Sequence, residues 1–320
     1  MPRELKPDVR LVTEGPFHLE ATVRVLQRRP ANRVDIWERN RYRRVLTTAD
    51  GLVLIEVHNC GTITAPDVRF SIQAGNPSAA TLAWLEGTVR KVLALDLHPG
   101  SVQAVAEAEL RLRATALALR GMRPPRFAEL FEAFASVVPF QQLSLDAGIA
   151  IMGRLTDRFG EHLEHEGHRY HAFPTARVVA NARLEALCRC GLSRTKAQSL
   201  RYLAQAIEAG ELSQTVIAGM STSHALEYLT DLPGIGPWSA GVVLLRGFGR
   251  LDVFPPGDVG ALRGLRELLR LRAGQSLGPV VKRFGALRGY LYFCGLGASL
   301  LVKGLIHPAS SFAERNALLD

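Results

Sequence analysis

The stretch from Leu232 to Gly260, LPGIGPWSAGVVLLRGFGRLDVFPPGDVG, limits the possible folds of this chain more than any other. The preceding residues 225–231 have the apolar spacing of an amphipathic helix, and the prolines and glycines of 233–236 should end that helix. Pro237 is tolerated in a first helical turn, and the apolar run after it predicts a buried helix. The sequence therefore predicts two helices joined by a tight glycine hairpin.

The hairpin residues Pro233, Gly234, Ile235 and Gly236 suggest a binding surface made of backbone. Amide groups at a glycine turn and at the start of a helix form a small anion site, which holds a phosphate without reading sequence. Ile235 would anchor the turn in the core. A plain turn between two helices explains the same four residues when they are taken alone.

Asp258 follows two prolines and a glycine and precedes a helical pattern over 259–271. Aspartate is a favoured N-cap, so capping that helix is its ordinary role. The intervening chain, however, is long enough to cross one helix and return beside the hairpin. A carboxylate repels a bound phosphodiester and needs a reason to be there; positive charge developing on a deoxyribose is one.

The first third of the chain favours an antiparallel sheet. Apolar residues alternate in 54–57 and 68–72, and breaks at Gly, Pro and Asn separate short runs rich in β-branched residues. The runs are VRLVTEGPF, TVRVLQRRP, RYRRVLTTAD, GLVLIEVHNC and DVRFSIQAG. Two helical patterns follow at 78–95 and 101–119, with Ser78 and Ser101 as N-caps.

Helical spacing then continues to the end, starting with one long pattern over 127–160. The predicted fold class is α+β, with an N-terminal antiparallel sheet and its helices followed by an all-helical bundle. The tandem prolines of 121–126 mark a boundary. We expect a mixed domain over 1–120, a helical domain over 121–230, and a hairpin and Asp258 region over 231–320, with a cleft between the last two.

The charge of the chain favours a polyanionic partner. Its 320 residues include 39 Lys and Arg against 30 Asp and Glu, a net charge of +9. Nucleic acid is favoured over an anionic membrane, although genomic base bias also produces arginine-rich chains. No apolar run reaches the ~18 residues of a membrane span, and the N-terminus lacks a signal-peptide core. We therefore expect a cytoplasmic protein that does not enter a membrane.

The stretch from Leu232 to Asp258 resembles the helix–hairpin–helix and Gly/Pro-Asp motif of base-excision DNA glycosylases. PGIGPW and VFPPGD are most similar to the alkylation-repair branch, 3-methyladenine DNA glycosylase II. The similarity extends from about Pro124 to about Gly295 and includes FQQLS (140–144), FPTARVVA (173–180) and GLSRTKAQSL (191–200). The sheet-rich front also resembles the N-terminal domain of that branch.

The resemblance implies that Asp258 is catalytic, either by stabilising an oxocarbenium-like sugar or by orienting water. Trp238 stands where bifunctional relatives carry a lysine nucleophile, and without that lysine no Schiff base forms and no strand is cut. An indole face also attracts a cationic alkylated purine. The expected base pocket consists of Trp238, Val242, Phe140 and Tyr290. Val242 replaces an aromatic residue of the branch, so the pocket is expected to be wider.

The same resemblance assigns the DNA wedge, which fills the gap left by an extruded base, to Gln142 or Leu143. The family often has an apolar residue at the position of Gln142, so a polar wedge is a departure. Backbone groups of Leu232, Gly234 and Ile235 are implied to bind a sodium or potassium ion. No other cofactor is expected, and no iron–sulfur cluster, because Cys294 is the only cysteine after residue 190.

Four histidines recur at every third position in GEHLEHEGHRYHAFP, at 162, 165, 168 and 171. Such spacing can bind zinc or nickel. Gly160, Gly167 and Pro174 favour instead a solvated loop near DNA, in which protonated histidines add positive charge.

The function implied by these features is a monofunctional glycosylase that flips alkylated purines out of double-stranded DNA and leaves an abasic site. A monomer is the simplest expectation. A glycosylase for deaminated or oxidised bases, such as hypoxanthine or 8-oxoguanine, is the enzymatic alternative. A non-catalytic protein that binds lesions is the alternative from another class, and Asp258 argues against it.

Overall fold

A computed structural model of the chain describes residues 8–97, 109–272 and 274–309. The predicted N-cap Ser101 and the first eight residues of the predicted helix over 101–119 lie outside these residues. The described remainder of that helix contains a 3₁₀ turn at Leu110–Leu112 and the helix Arg113–Ala118. The strands of the described residues are β1 (Asp8–Leu11), β2 (Ile36–Glu38), β3 (Arg41–Thr48), β4 (Gly51–Asn59), β5 (Val68–Ala74), β6 (His162–His165) and β7 (His168–His171).

Most of the α-helices in the described residues follow residue 120, and three precede it. They are α1 (Leu19–Gln27), α2 (Ala79–Val92), α3 (Arg113–Ala118), α4 (Leu130–Ala135), α5 (Leu145–Phe159), α6 (Ala176–Ala180), α7 (Leu184–Cys188), α8 (Arg194–Glu208), α9 (Gln214–Gly219), α10 (Thr222–Thr230), α11 (Pro237–Gly247), α12 (Val259–Leu268), α13 (Gly278–Arg283) and α14 (Tyr290–Val302). The predicted α+β class, with a sheet followed by a helical bundle, is confirmed. None of these helices is long and apolar enough to cross a membrane.

Five strands form one antiparallel sheet in the order β1-β5-β4-β3-β2. The predicted alternation is clearest in β5, where Val68, Phe70 and Ile72 are buried and the residues between them are partly exposed. One face of the sheet therefore packs into the core. Helix α2, which follows the sheet, begins where predicted, because the hydroxyl of Ser78 accepts a hydrogen bond from the Thr81 amide at 3.3 Å.

The prediction of a strand over TVRVLQRRP was wrong, because these residues lie mostly in α1. Leu19, Val23 and Leu26 recur at helical spacing and pack into the main core, while Ala21 and Val25 pack into a second core. In a strand Ala21, Val23 and Val25 would all point to the same face, because alternate side chains share a face. Tertiary burial on two sides thus outweighs the local β preference of its valines and threonine.

The helical pattern over 127–160 is interrupted in the structure. Helix α4 ends at Ala135, a 3₁₀ turn covers Val138–Phe140, and α5 begins only at Leu145. Pro139 lies in that turn, where proline cannot continue an α-helical hydrogen-bond ladder. The break leaves residues 140–144 as a loop between two helices.

The four histidines lie in a β-hairpin rather than in the predicted loop. Strands β6 and β7 pair His162 with His171 and His165 with His168. Glu166 and Gly167 both have positive φ values, 50° and 77°, as a two-residue turn of a twisted hairpin requires. Among the described residues no set of three or more metal-binding side chains is assembled.

A buried ionic cluster joins the sheet to the helical bundle. Arg44 of β3 donates to Asp35 at 2.8 Å and also to Glu132 of α4. Tyr42 donates its hydroxyl to the same Asp35 at 2.8 Å. The three charged side chains are at most 5% exposed. Since removing one member of a buried pair leaves the other charge uncompensated, this cluster fixes α4 against the sheet.

Arg44→Met is expected to lower the free energy of unfolding by about 3–5 kcal/mol, because Asp35 and Glu132 would both lose their buried cation. Urea denaturation measures the change. The matched control is Arg41→Met, since Arg41 is half-exposed and its partner Glu56 keeps Arg43 at 2.7 Å. That control should cost about 1 kcal/mol or less. Equal losses in the two variants would contradict the role given to the buried cluster.

Candidate active site

The glycine hairpin has the predicted form of helix, turn and helix. It joins α10 to α11, and Pro237 is the first residue of α11. The amide of Ile235 donates to the Leu232 carbonyl at 3.0 Å and closes the turn. Ile235 is 3% exposed, so its side chain anchors the turn in the core. Gly234 and Gly236 are exposed on either side of it.

Gly234 cannot be replaced without strain. Its φ is +79°, a conformation that favours glycine. A Cβ atom at this position would lie 2.2 Å from the hydroxyl oxygen of Ser199 in α8. That hydroxyl donates to the Pro233 carbonyl at 2.6 Å, so it has little room to move away. The hairpin is thereby held on α8 by a contact that only a glycine permits.

Asp258 is the N-cap of α12, as its sequence context predicts. Its Oδ1 accepts a hydrogen bond from the Ala261 amide at 2.8 Å. Its Oδ2 accepts a second one from the indole Nε1 of Trp238, also at 2.8 Å. Each carboxylate oxygen has a further lone pair, so the two bonds orient the group without exhausting it as an acceptor. Asp258 therefore combines a capping role with a fixed position beside the hairpin.

A close approach between α11 and the proline segment brings Asp258 to Trp238. A Cβ atom at Gly241 would lie 3.1 Å from both the Cα of Pro255 and the Cδ of Pro256. Gly241 lies three residues after Trp238 in α11, so the prolines pack close to the indole. The absence of a side chain at Gly241 therefore helps to place the carboxylate two residues beyond Pro256.

Trp238 and Asp258 line an open cleft of about 970 Å³. Its other walls come from the loop before α5, the start of α8, the hairpin and the start of α12. The lining residues are Phe140, Gln141, Gln142, Leu143, Ser193, Thr195, Lys196, Gly234, Gly236, Pro237, Trp238, Ser239, Gly257, Asp258, Val259 and Gly260. The cleft thus unites seven predicted site residues: Asp258, Trp238, Phe140, Gln142, Leu143, Gly234 and Gly236.

Val242 and Tyr290, two predicted pocket residues, do not line this cleft. Val242 lies one turn beyond Trp238 in α11 and is 2% exposed within the main core. Tyr290 is 4% exposed in the second core, where it interacts with Cys294. Because Val242 is not part of the cleft wall, the structure does not support the expectation that it widens the pocket.

Tyr292 connects the cleft to the N-terminal part of the chain. Burial raises the pKa of its hydroxyl, the positive charge of Arg28 opposes this rise, and the negative charge of Asp258 adds to it. The guanidinium carbon of Arg28 lies 5.2 Å from the centre of the Phe140 ring. Arg28, Phe140, Tyr292 and Asp258 thus form one neighbourhood, and no sequence motif pointed to Arg28.

The loop that carries Gln142 projects into the cleft. Gln142 has a φ of +56°, which is uncommon for a residue other than glycine, and both Gln142 and Leu143 are exposed. Leu143 is 45% exposed, which is high for a leucine. Sequence reasoning missed three further groups around this loop: Gln141, the Lys196 ammonium, and the hydroxyls of Ser193 and Thr195. They lie in the FQQLS and GLSRTKAQSL motifs, which carry the family resemblance, but the sequence alone assigned no role to these residues.

The hairpin carbonyls retain the capacity to bind a cation. The Leu232 carbonyl accepts the Ile235 amide, and the Gly234 carbonyl accepts the side-chain amide of Gln141 at 2.8 Å. A carbonyl oxygen has two lone pairs, so each oxygen could take one more partner. Their chemistry suits a hard monovalent ion.

Comparison with known proteins gives two matches that are separated only by residues 130–134. Residues 8–129 match the AlkA N-terminal domain, and residues 135–283 match the model of the HhH-GPD superfamily of base excision DNA repair proteins. The chain therefore contains an HhH-GPD domain, preceded by an AlkA N-terminal domain. Its glycine hairpin and Asp258 both lie within the second match.

Individual relatives are similar to this chain over part of their length. It is 29% identical over 164 residues to a DNA-3-methyladenine glycosylase of Bacillus subtilis, covering 51% of this chain and 54% of that protein. It is 32% identical over 138 residues to DNA-3-methyladenine glycosylase 2 of Escherichia coli, covering 43% and 48%. The chain spans about half the length of the curated relatives it matches.

The overall fold has a close structural counterpart. A 3-methyladenine DNA glycosylase from Archaeoglobus fulgidus superposes with a TM-score of 0.75 at 24% identity, over 90% of this chain and 97% of that one. This chain therefore shares that fold from the sheet to the helical bundle.

Gly234→Ala is expected to lower the free energy of unfolding by about 1–3 kcal/mol from the left-handed backbone alone, and the contact with Ser199 adds to the loss. Gly236→Ala is the control, because the φ of Gly236 is −91° and no described atom lies within 4 Å of an added Cβ. The control should cost less than about 1 kcal/mol. Urea denaturation measures the free energy of unfolding of both variants. Equal losses of stability would show that glycine is not specially required at position 234.

Proposed function

We propose that this protein is a monofunctional DNA glycosylase that excises alkylated purines of the 3-methyladenine type from double-stranded DNA. The observation that carries the proposal is the fixed position of the Asp258 carboxylate, held by the Trp238 indole at 2.8 Å in an open cleft beside the glycine hairpin. The names of the B. subtilis and E. coli relatives, both DNA-3-methyladenine glycosylases, support it.

The hairpin would hold the DNA backbone at this site. Gly234 and Gly236 expose main chain at the start of α11, where the helix dipole and free amides favour a phosphate. Carbonyls of Leu232, Gly234 and Ile235 would hold a sodium or potassium ion, which supplies positive charge toward the same phosphate. This grip is independent of sequence, as a search for rare lesions requires.

The damaged base must leave the stack before the carboxylate can reach its sugar. Gln142, exposed at the tip of its loop, would fill the vacated space, with Leu143 as the neighbouring alternative. The extruded base would enter the cleft between Phe140 and Trp238. A cationic alkylated purine is attracted to an indole face by ~0.5–2 kcal/mol.

Bond cleavage then needs little acid catalysis. As the bond between C1′ and the base nitrogen breaks, its electron pair moves to the base, and a purine that was cationic leaves neutral. The sugar becomes positively charged, and the negative charge of Asp258 stabilises it. Water adds to C1′ and loses a proton to a carboxylate oxygen or to solvent. The products are a free base and an abasic site.

Strand cleavage is not expected from this geometry. Trp238 cannot form a Schiff base with the opened sugar. Lys196, the one lysine that lines the cleft among the described residues, already donates its Nζ to the carbonyls of Gln141 and Pro139, at 2.6 and 3.3 Å. Its amine is therefore committed to the protein backbone, which supports a monofunctional enzyme.

Asp258→Asn should reduce base release by ~100-fold or more, because the amide keeps the size of the side chain but removes the charge that opposes the sugar cation. The assay follows single-lesion duplexes containing 3-methyladenine or 7-methylguanine, developed with and without alkali. Wild-type product should appear only after alkali. Asp231→Asn, at the exposed C-terminus of α10, is the control and should retain full activity. Strand breaks without alkali, or an active Asp258→Asn, would refute the proposal.

A neutral purine with a carbonyl group, such as hypoxanthine, is a second candidate substrate because of Arg28. Its guanidinium faces the Phe140 ring, and among residues 8–97, 109–272 and 274–309 it makes no hydrogen bond or ion pair. A neutral purine leaves with a developing negative charge, which a nearby guanidinium stabilises. The same charge repels a purine that is already cationic. Arg28 therefore favours neutral lesions relative to alkylated ones.

Arg28→Met should shift the ratio of hypoxanthine excision to 7-methylguanine excision toward 7-methylguanine by roughly tenfold, since a positive charge beside the Phe140 ring is removed. Single-turnover rates on both lesions give the ratio. Arg29→Met is the control, because that neighbouring guanidinium is engaged by Asp146 at 2.7 Å. An unchanged ratio in Arg28→Met would show that Arg28 does not favour hypoxanthine, and would remove the support for this second candidate substrate.

A further inference from the structure

The loop that carries Gln142 is tied to the rest of the cleft by one ammonium group. Lys196 Nζ donates to the carbonyl of Gln141 at 2.6 Å and to that of Pro139 at 3.3 Å. These are the residues on either side of Phe140, immediately before Gln142. The bonds therefore fix the backbone that leads into the left-handed conformation of Gln142, whose φ is +56°.

The side chain of Gln141 connects the same loop to the hairpin. Its Nε2 donates to the Gly234 carbonyl at 2.8 Å and to the hydroxyl of Ser239 at 2.9 Å. Helix α8 completes the connection, because Ser199, one turn after Lys196, donates to Pro233. Loop, hairpin and α8 thus share a single hydrogen-bonded frame, with Lys196 at its centre.

Holding the loop with Lys196 costs free energy, because its ammonium group is partly desolvated. Burial lowers the pKa of its ammonium, and among the described residues no carboxylate forms an ion pair with it. A hydrophobic side chain at this position of α8 could pack against the loop without this penalty. An ammonium adds two directed hydrogen bonds, to the Pro139 and Gln141 carbonyls, which an apolar group cannot form.

We propose that Lys196 is a positioning residue for base extrusion. It holds the loop at a fixed distance from the hairpin, so that Gln142 enters the duplex in register with the phosphate that the hairpin grips. The proposal rests on the proposed glycosylase function and assigns a residue to its extrusion step. Lys196 touches neither the reacting sugar nor the base in this role.

The proposal has a consequence that a general supporting role would not have. A wedge is needed when the lesion is stacked and paired, because extrusion then costs several kcal/mol, and much less when the lesion is already unpaired. Misplacement of the loop should therefore penalise paired substrates selectively. A residue that merely stabilised the fold, or merely attracted phosphate, would affect both substrates alike.

The test compares single-turnover excision of 7-methylguanine from a fully paired duplex and from a duplex in which the lesion lies in an unpaired bubble. Lys196→Met should lower the paired rate by about tenfold or more and the bubble rate by less than about threefold, since small misplacements of an acting group can cost up to 10²-fold. Lys196→Arg keeps donors for both carbonyls and should retain a larger share of the paired rate. Arg194→Met, an exposed charge in the first turn of α8, should lower both rates by the same factor.

Thermal unfolding will show whether Lys196→Met folds. If it does not, Gln141→Met tests the same hydrogen-bonded frame. It removes the bonds to Gly234 and Ser239 and should give the same selective loss on the paired duplex. An unchanged ratio of paired to bubble rates in the folded Lys variant, or in Gln141→Met, overturns the proposal. A wild-type protein that releases base from neither substrate would instead refute the glycosylase function on which it rests.

Discussion

The active-site architecture depends on one hydrogen bond, from the Trp238 indole to Asp258. It links the first turn of α11, which begins at the glycine hairpin, to the N-cap of α12. The Ala261 amide holds the other oxygen of the carboxylate, so the group cannot rotate freely. The hairpin and the carboxylate are thereby kept at a fixed separation, and in the proposed function they hold a backbone phosphate and face a cationic sugar. Electrostatic catalysis needs such preorganisation, because charges that must first reorient give little stabilisation.

The surroundings of this bond consist mainly of close backbone contacts. Gly241 lets the proline segment pack on α11, and Gly234 lets the hairpin pack on Ser199 of α8. Lys196 and Gln141 then tie the loop of Gln142 to the same frame. Farther away, the cluster around Arg44 fixes α4 against the N-terminal sheet. The N-terminal part is thus packed closely enough for Arg28 to reach the Phe140 ring.

Features encoded by neighbouring residues could be predicted from the sequence, whereas features that depend on long-range packing could not. Glycine, proline and N-cap chemistry act within a few residues, which is why the hairpin, the Pro237 helix start and the Asp258 cap agree with the structure. The helix α1 was mistaken for a strand because its two buried faces meet distant parts of the chain. For the same reason Val242 and Tyr290 were placed in the pocket although they pack in the core, and Lys196 and Arg28 received no role. Direction of a side chain toward a cleft is set by tertiary packing, and a single sequence carries no local signal for it.

The central claim is that Asp258 recognises positive charge on the sugar, and binding of a charged analogue tests it without any turnover. The measurement compares affinity for two duplexes, one with a protonated pyrrolidine in place of the sugar at an abasic position and one with a neutral tetrahydrofuran. Because an enzyme binds its transition state more tightly than its substrate, we predict a preference of about 10²-fold or more for the cationic analogue, lost in Asp258→Asn. Equal affinity of the wild-type protein for the two duplexes, or an undiminished preference in Asp258→Asn, would contradict the account.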